Sequence, residues 1–401
     1  MSTKPLKAQP PEGLAESFKS TFNDTPDFLV RAPGCVSLIG GYVEDGEGWG
    51  LAAAISRHVW AAAKELPTTL VSLHAFDLNQ QTAFRLTDLE DKKAIVGRPL
   101  PEWAQYAAGV AWNMQDAGIA TPGSQITVTG EMPMGAGLYS SAAVEVAYGM
   151  AWAHIVGWEV DRMLLARLCQ HAEATYVGVQ TGLVGQFASL HGQAGHVLLF
   201  NSQTHEWNAL PFPPEYTLVL ADTGVRDRQA KSRHQQRLDD CAEAIQRLKE
   251  HLPDLSSLQD VSEDQFDHLK VHLPDSICGV AEHIIKENGR ALAAAQALKA
   301  RDLDTFGQLM DDSYVSAREL LNASRPALES LWETARDHPG RVGGRLVGPG
   351  GAGSLLFLVR ADATDEFASY VSQRYSEQAG LTPSMTVLWA VDGAEVIPVA
   401  G

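Results

Sequence analysis

The residues best suited to chemistry stand together in one run, Pro-Met-Gly-Ala-Gly-Leu-Tyr-Ser-Ser-Ala-Ala at positions 133–143. Gly135 and Gly137 leave the backbone bare enough for a phosphate to approach closely. Ser140 and Ser141 add hydroxyls that can donate to such a phosphate or ligate its Mg²⁺. The flanks fit that use. Residues 124–130 alternate polar and apolar side chains, as a half-buried strand does, whereas residues 144–156 are almost wholly apolar and small. The second segment predicts a helix buried on every side. A glycine turn therefore delivers a strand into a helix that begins Ser140-Ser141-Ala142. Unpartnered N–H groups and the helix dipole favour negative charge at such a start. A tight turn ahead of a capped core helix is the structural alternative for a lone Gly-x-Gly. No Gly-x-x-x-x-Gly-Lys-Ser/Thr occurs, which excludes a Walker-type loop. A dinucleotide fold needs a strand after the helix, and a second helix-like segment, 160–173, stands there instead.

The elements that must hold this loop belong to a chain of 401 residues, long enough for two domains. The formal charge of −18 argues against nucleic-acid and anionic-membrane partners, so a bound polyanion needs a local device such as a helix start. Cys35, Cys169, Cys241 and Cys278 show no metal-like or Cys-x-x-Cys spacing, which predicts reduced thiols in a cytoplasmic protein. The first residues lack an apolar signal core and no segment reaches membrane-spanning length. The expectation is a soluble, intracellular protein.

Ahead of the loop, 14–22 predicts a helix and 28–41 two strand pieces jointed at Pro33-Gly34. An acidic loop, Glu44-Asp-Gly-Glu-Gly48, precedes a strand over 51–63; by composition it is a solvated turn. Residues 102–114 predict a helix with Trp103 and Tyr106 on one face, a pattern of core packing. Glu173 at a helix end has the position of a solvated surface charge. Strands follow over 196–200 and 207–212, and Pro211-Phe-Pro-Pro214 is the candidate joint between domains. The second half reads as a strand at 216–221, helices at 228–251, 278–299, 303–320 and 326–337, a glycine-rich turn between strands within 344–359, a helix at 365–376 and a last strand at 384–390. The mixture lacks regular β-α-β alternation, so the class is α+β.

Three separated motifs then stand in one order. Ala32-Pro-Gly-Cys-Val-Ser-Leu-Ile-Gly-Gly41 resembles the signature that opens galactokinases, A-P-G-R-V-N-L-I-G-E-H-T-D-Y. The 133–142 run resembles the ATP loop of the wider family of galacto-, homoserine, mevalonate and phosphomevalonate (GHMP) kinases, and 348–354 resembles its third, glycine-rich motif. Glu173-Ala-Thr-Tyr-Val-Gly-Val-Gln-Thr-Gly-Leu-Val-Gly-Gln186 is similar to the galactokinase run E-N-Q-F-V-G-x-x-x-G-I-M-D-Q. The resemblance covers nearly the whole chain. It implies the GHMP kinase fold, with a ribosomal-protein-S5-like domain over 1–212 and a ferredoxin-like domain over 213–401. It further implies ATP phosphates on Gly135, Ala136, Gly137, Leu138, Tyr139, Ser140 and Ser141, Mg²⁺ on Ser141 and Glu173, and adenine beside Trp103. Tyr139 replaces a small residue and is expected to crowd the phosphates.

The acceptor half departs from the family. Galactokinases carry an Arg where this chain has Cys35 and an Asp where it has Gly185. Their Glu, His and Asp sugar contacts fall on Gly41, Tyr42 and Glu44, and a sugar-contacting Tyr falls on His234. Arg31 lies about 13 Å of extended chain from the lost Arg, too far for a simple replacement. The resemblance implies an acceptor pocket between the acidic loop, the 182–186 turn and His234, with Glu44, Asp45 or His234 as contacts and vacant volume at Gly41 and Gly185. Two functions follow. One is an ATP-dependent kinase for a small hydroxyl acceptor, a sugar or polyol other than galactose. The other is a nucleotide-binding protein without transfer activity that regulates or scaffolds.

Overall fold

The computed structural model describes residues 8–42, 48–133, 135–348 and 353–399, with only the backbone of Lys231. Helix α1 (Leu14–Phe22) leads into β1 (Phe28–Ile39) and β2 (Trp49–Glu65), an antiparallel pair at the centre of the first sheet. The two strand pieces expected around Pro33-Gly34 are one strand, and the joint survives as a register shift between Pro33 and Cys35. The reason lies at Gly34. A methyl carbon there would overlap the Met132 side chain and sit 2.9 Å from the Leu138 carbonyl.

The 17 residues of β2 serve two neighbours along one edge. Its first half pairs β6 (His196–Asn201), and its second half pairs β5 (Ser124–Gly130). The hairpin β3 (Leu70–Ala75) and β4 (Gln80–Arg85), absent from the sequence reading, extends the sheet beyond β5, and β7 (Trp207–Pro211) pairs β6. Against this sheet pack α2 (Glu102–Asp116), α3 (Ser140–Ile155), α4 (Arg162–His171) and α5 (Val184–His191). Helix α3 is buried on nearly all sides, as its uniformly small and apolar sequence predicts.

The chain changes sheets after β7. Strands β8 (Tyr216–Asp222), β9 (Arg341–Leu346), β10 (Ser354–Arg360) and β11 (Ser384–Leu388) form an antiparallel sheet in the order β11-β8-β10-β9. Around it lie α6 (Ala230–Leu248), α7 (Glu263–Leu269), α8 (Asp275–Ala300), α9 (Leu303–Leu320), α10 (Pro326–Arg336) and α11 (Thr364–Ala379). The chain then returns. β12 (Glu395–Pro398) pairs β1 in the first sheet, and residues 291–298 of α8 pack into the first core. No described helix is long and apolar enough to cross a membrane.

Candidate active site

The glycine loop is built by backbone conformation first. Gly135, Gly137 and Tyr139 have φ of 70°, 78° and 53°, so the chain turns left-handed at alternate residues before α3 begins. Ala136 and Leu138, at 1% and 2% exposure, anchor the loop in the core, and the Leu138 carbonyl accepts the Cys35 N–H at 3.1 Å. A side chain at Gly137 would lie 2.9 Å from the Gly348 nitrogen, so the loop presses against the third glycine segment. Arg226, just past β8, reaches the other flank; its Nε lies 3.5 Å from where a Gly135 methyl would stand. Its guanidinium forks onto Asp222 through two contacts of 2.7 Å.

Ser141 and Glu173 meet across the start of α3. The Ser141 hydroxyl hydrogen-bonds the Glu173 carboxylate, which also accepts from Thr181 Oγ1 at 2.8 Å and Gln186 Nε2 at 3.0 Å. The surface position read for Glu173 is wrong: it is 2% exposed. The reason is a π-helical turn, Ala172–Val177, which follows α4 and turns the carboxylate inward. Glu145, one turn along α3 from Ser141, is fully buried beside it. Gln186 Nε2 donates to Glu145 as well, at 2.9 Å. Burial pushes both carboxyls up; their mutual charge adds to the shift of Glu145, and the hydrogen bonds partly offset that of Glu173. Among the described residues no cluster of three or more His, Cys, Asp or Glu could hold a metal. The protein's oxygen donors here are instead a hydroxyl and an acid, a hard set suited to a cation shared with phosphate oxygens. Trp103 is half-buried on α2, its indole N–H donating to Gln80 Oε1 at 2.9 Å.

On the acceptor side, Cys35 is fully buried in the core. Arg31 pairs with Glu395 at 3.3 Å, so it is engaged by β12 and does not replace the missing Arg. The vacant volume expected at two glycines is filled. Gly185 stands in the first turn of α5, not in a free turn, and a methyl carbon on it would fall 2.5 Å from Tyr139 Cδ1 and 3.0 Å from the Ala142 methyl. A methyl carbon on Gly41 would overlap Arg345 Nη2 and lie 2.9 Å from its Cζ. Tyr42, at φ 73°, is buried in the second core with its ring edge-on to His283 at 5.6 Å. His234 comes to the segment before α5, its Nε2 bonded to the Gln180 carbonyl at 3.0 Å. Glu44 and Asp45 lie outside the described residues.

Comparison with known proteins decides the family. Residues 16–65 match the galactokinase galactose-binding signature, and residues 105–193 match the GHMP kinases N terminal domain. The galactokinase of Roseiflexus sp. (strain RS-1) is 34% identical over 380 residues, spanning 95% of each chain. That of Bacillus subtilis (strain 168) is 32% identical over 388 residues, 96% of this chain and 98% of its own. The chain belongs to the galactokinase-like GHMP kinases. The crystal structure of Lactococcus lactis galactokinase complexed with galactose matches 96% of this chain and 98% of its own at TM-score 0.90 and 27% identity. A mevalonate kinase at TM-score 0.61 and 15% identity shares the fold.

With galactokinase relatives over nearly its whole length, the protein is a sugar kinase by class, with the α+β fold expected of it. Sequence reasoning missed three site residues. Glu145 had a signal, a single acid within an apolar helical run. Arg226 and Arg345 had none, because only the second sheet carries them to the loops of the first sheet.

Proposed function

We propose that the protein transfers a phosphoryl group from ATP, with Mg²⁺, to a hydroxyl of a small acceptor other than galactose. One observation carries this reading: the galactokinase Asp position is Gly185, covered by the Tyr139 ring, while the Ser141–Glu173 contact beside the loop is intact. Ser141 and Glu173 fit Mg²⁺, since Glu173 is a buried acid with no ion pair among the described residues. Bound there with nucleotide, Mg²⁺ would neutralise charge on the phosphate oxygens.

The glycine loop's backbone groups and Arg226 then hold the phosphates, and the half-buried Trp103 stands on the helix assigned to the adenine end. Phosphoryl transfer depends mainly on positioning and electrostatics, so a site without a dedicated base remains workable. Galactose is a poor acceptor on this account. A positioned base contributes about 10²–10⁴-fold to rate, and Gly185 offers none. The fixed cation lost at Cys35 adds to that deficit.

The cover over Gly185 also favours a second reading, a nucleotide-binding protein without transfer that regulates or scaffolds. ADP release over a panel of sugars, sugar acids and polyols separates the two, alongside Mg-ADP thermal shift. Acceptor-dependent ADP release supports the kinase. Nucleotide binding without turnover on any acceptor supports the second reading, and absence of nucleotide binding removes both. Galactose turnover of several per second would defeat the acceptor claim.

A further inference from the structure

This inference rests on the kinase reading above and concerns the chemistry of its acceptor. In the segment matched by the galactose-binding signature, β1 runs out at Ile39 into Gly40-Gly41-Tyr42. At Gly41, where the family resemblance calls for an acidic sugar contact, the space is taken by a guanidinium. Arg345 is 3% exposed; its Nε donates to the Leu346 carbonyl at 2.9 Å and its Nη1 lies 3.4 Å from Ser37 Oγ. Nη2, the atom against Gly41, makes no hydrogen bond among the described residues.

Among the described residues, the charge around Arg345 is not balanced locally. Its nearest carboxylate is Glu287, 3.9 Å from Nη1. That acid is already engaged by Arg290 Nε at 2.6 Å, Ser313 Oγ at 2.6 Å and the Gly40 N–H at 2.9 Å. His283, bonded to the Gly41 carbonyl at 3.3 Å, adds no negative charge, and the acidic residues 44–47 lie outside the described chain. Among the described residues, the buried Arg345 and the partly buried Arg290 therefore share one carboxylate. A buried cation with an unused donor is costly until an anion meets it.

We propose that the acceptor carries a carboxylate, a sugar acid rather than a neutral sugar, and that Arg345 Nη2 beside Gly41 binds it. A glycine in place of an acid removes repulsion. The guanidinium in the same place reverses the sign of the charge offered to the acceptor. A carboxylate matches it through charge-assisted hydrogen bonds. A neutral hydroxyl leaves the cation poorly compensated, which turns the same residue into a device against neutral sugars.

The test pairs compounds that differ only at one carbon: galactose with galacturonate, and glucose with glucuronate. ADP release is measured with the full chain and Mg-ATP, and binding of each compound to the ADP-loaded protein by calorimetry. The expected result is kcat/KM at least about tenfold higher for the acid in at least one pair. Arg345→Met should erase that preference mainly through KM, and Arg345→Lys should restore part of it. Because Arg345 is buried, Gly41→Glu serves as a second variant that keeps the guanidinium, displaced by the new side chain, and offers it a carboxylate. A carboxylate supplied by the chain should occupy the guanidinium and abolish acid preference while Mg-ADP still binds.

Turnover of the neutral member over the acid in both pairs leaves the kinase reading standing and overturns this inference. Preference for galactose 6-phosphate over the acids does the same to the carboxylate assignment. Acid binding that depends on Arg345 without any ADP release keeps the inference and removes the transfer reading. Failure of both acids to bind or react overturns the inference.

Discussion

Tyr139 holds a left-handed backbone at φ 53°, a conformation that costs a non-glycine residue about 1–3 kcal/mol. Its ring lies against Gly185. The two positions therefore depend on one another: a side chain at 185 needs the volume that the ring now fills. Gly185→Asp alone should destabilise by about 1–3 kcal/mol through overpacking. The pair Tyr139→Ser with Gly185→Asp should recover most of that loss. A denaturant double-mutant cycle measures the coupling, and strictly additive losses would show the ring and residue 185 to be independent. Glu173 makes a second prediction at this scale. With Mg-ADP at 100 times Kd the wild type should gain about 2.7 kcal/mol. Glu173→Ala should lose most of the gain that depends on Mg²⁺ while keeping metal-free ADP binding. An unchanged Mg²⁺-dependent shift in that variant would remove Glu173 from the metal site.

At the scale of elements, the site is assembled by short irregularities inside regular pieces. The register shift at Gly34 lets the Leu138 carbonyl reach the Cys35 N–H, and the π-helical turn brings Glu173 to Ser141. The return of β12 is the long-range counterpart. It pairs Phe28 to Arg31 with Pro398 to Glu395, on the strand that carries Gly34 and Cys35. Truncation after Asp392 should remove this pairing and the Glu395 partner of buried Arg31. With backbone hydrogen bonds worth about 0.5–1.5 kcal/mol each, the expected loss is about 2–5 kcal/mol. Glu395 is half exposed, so Glu395→Gln should cost under about 1 kcal/mol. Thermal denaturation of both variants distinguishes strand pairing from the ion pair, and equal losses would contradict the assignment to the strand.

Across the whole molecule, the buried cluster of α8 and α9 ties the helices around the second sheet to the turn at Gly40 and Gly41. Its titration sets an acid limit. Burial lowers the His283 pKa to about 4, so the folded state resists its protonation. The unfolded chain, with His near 6.5, binds more protons below that value, and stability falls as pH drops from about 6.5 towards 4. Burial raises the Glu287 pKa, but Arg290 leads a set of opposing charges that brings it down to about 2. Its contribution is complete above about 4.5 and is lost as pH falls towards 2. Stability should therefore decline in two stages. His283→Gln should flatten the stage between pH 6.5 and 4 and leave the lower one, as read from urea midpoints against pH. A wild-type midpoint flat from pH 6.5 to 4 would exclude the His283 contribution.

The sequence by itself carried the family, the strand–glycine loop–helix unit and nearly every helix. These follow from local periodicity, glycine placement and motif order, all written along the chain. The buried state of Glu173, the carboxylate neighbour at Glu145 and the return of β12 were decided by tertiary structure. So was the occupation of both glycine positions, since Tyr139 and Arg345 lie 46 and 304 residues from the glycines they cover. A glycine in a sequence announces only that its own side chain is missing. What fills the space depends on which distant side chain the packed sheets bring there, and here these are the Tyr139 ring and the Arg345 guanidinium.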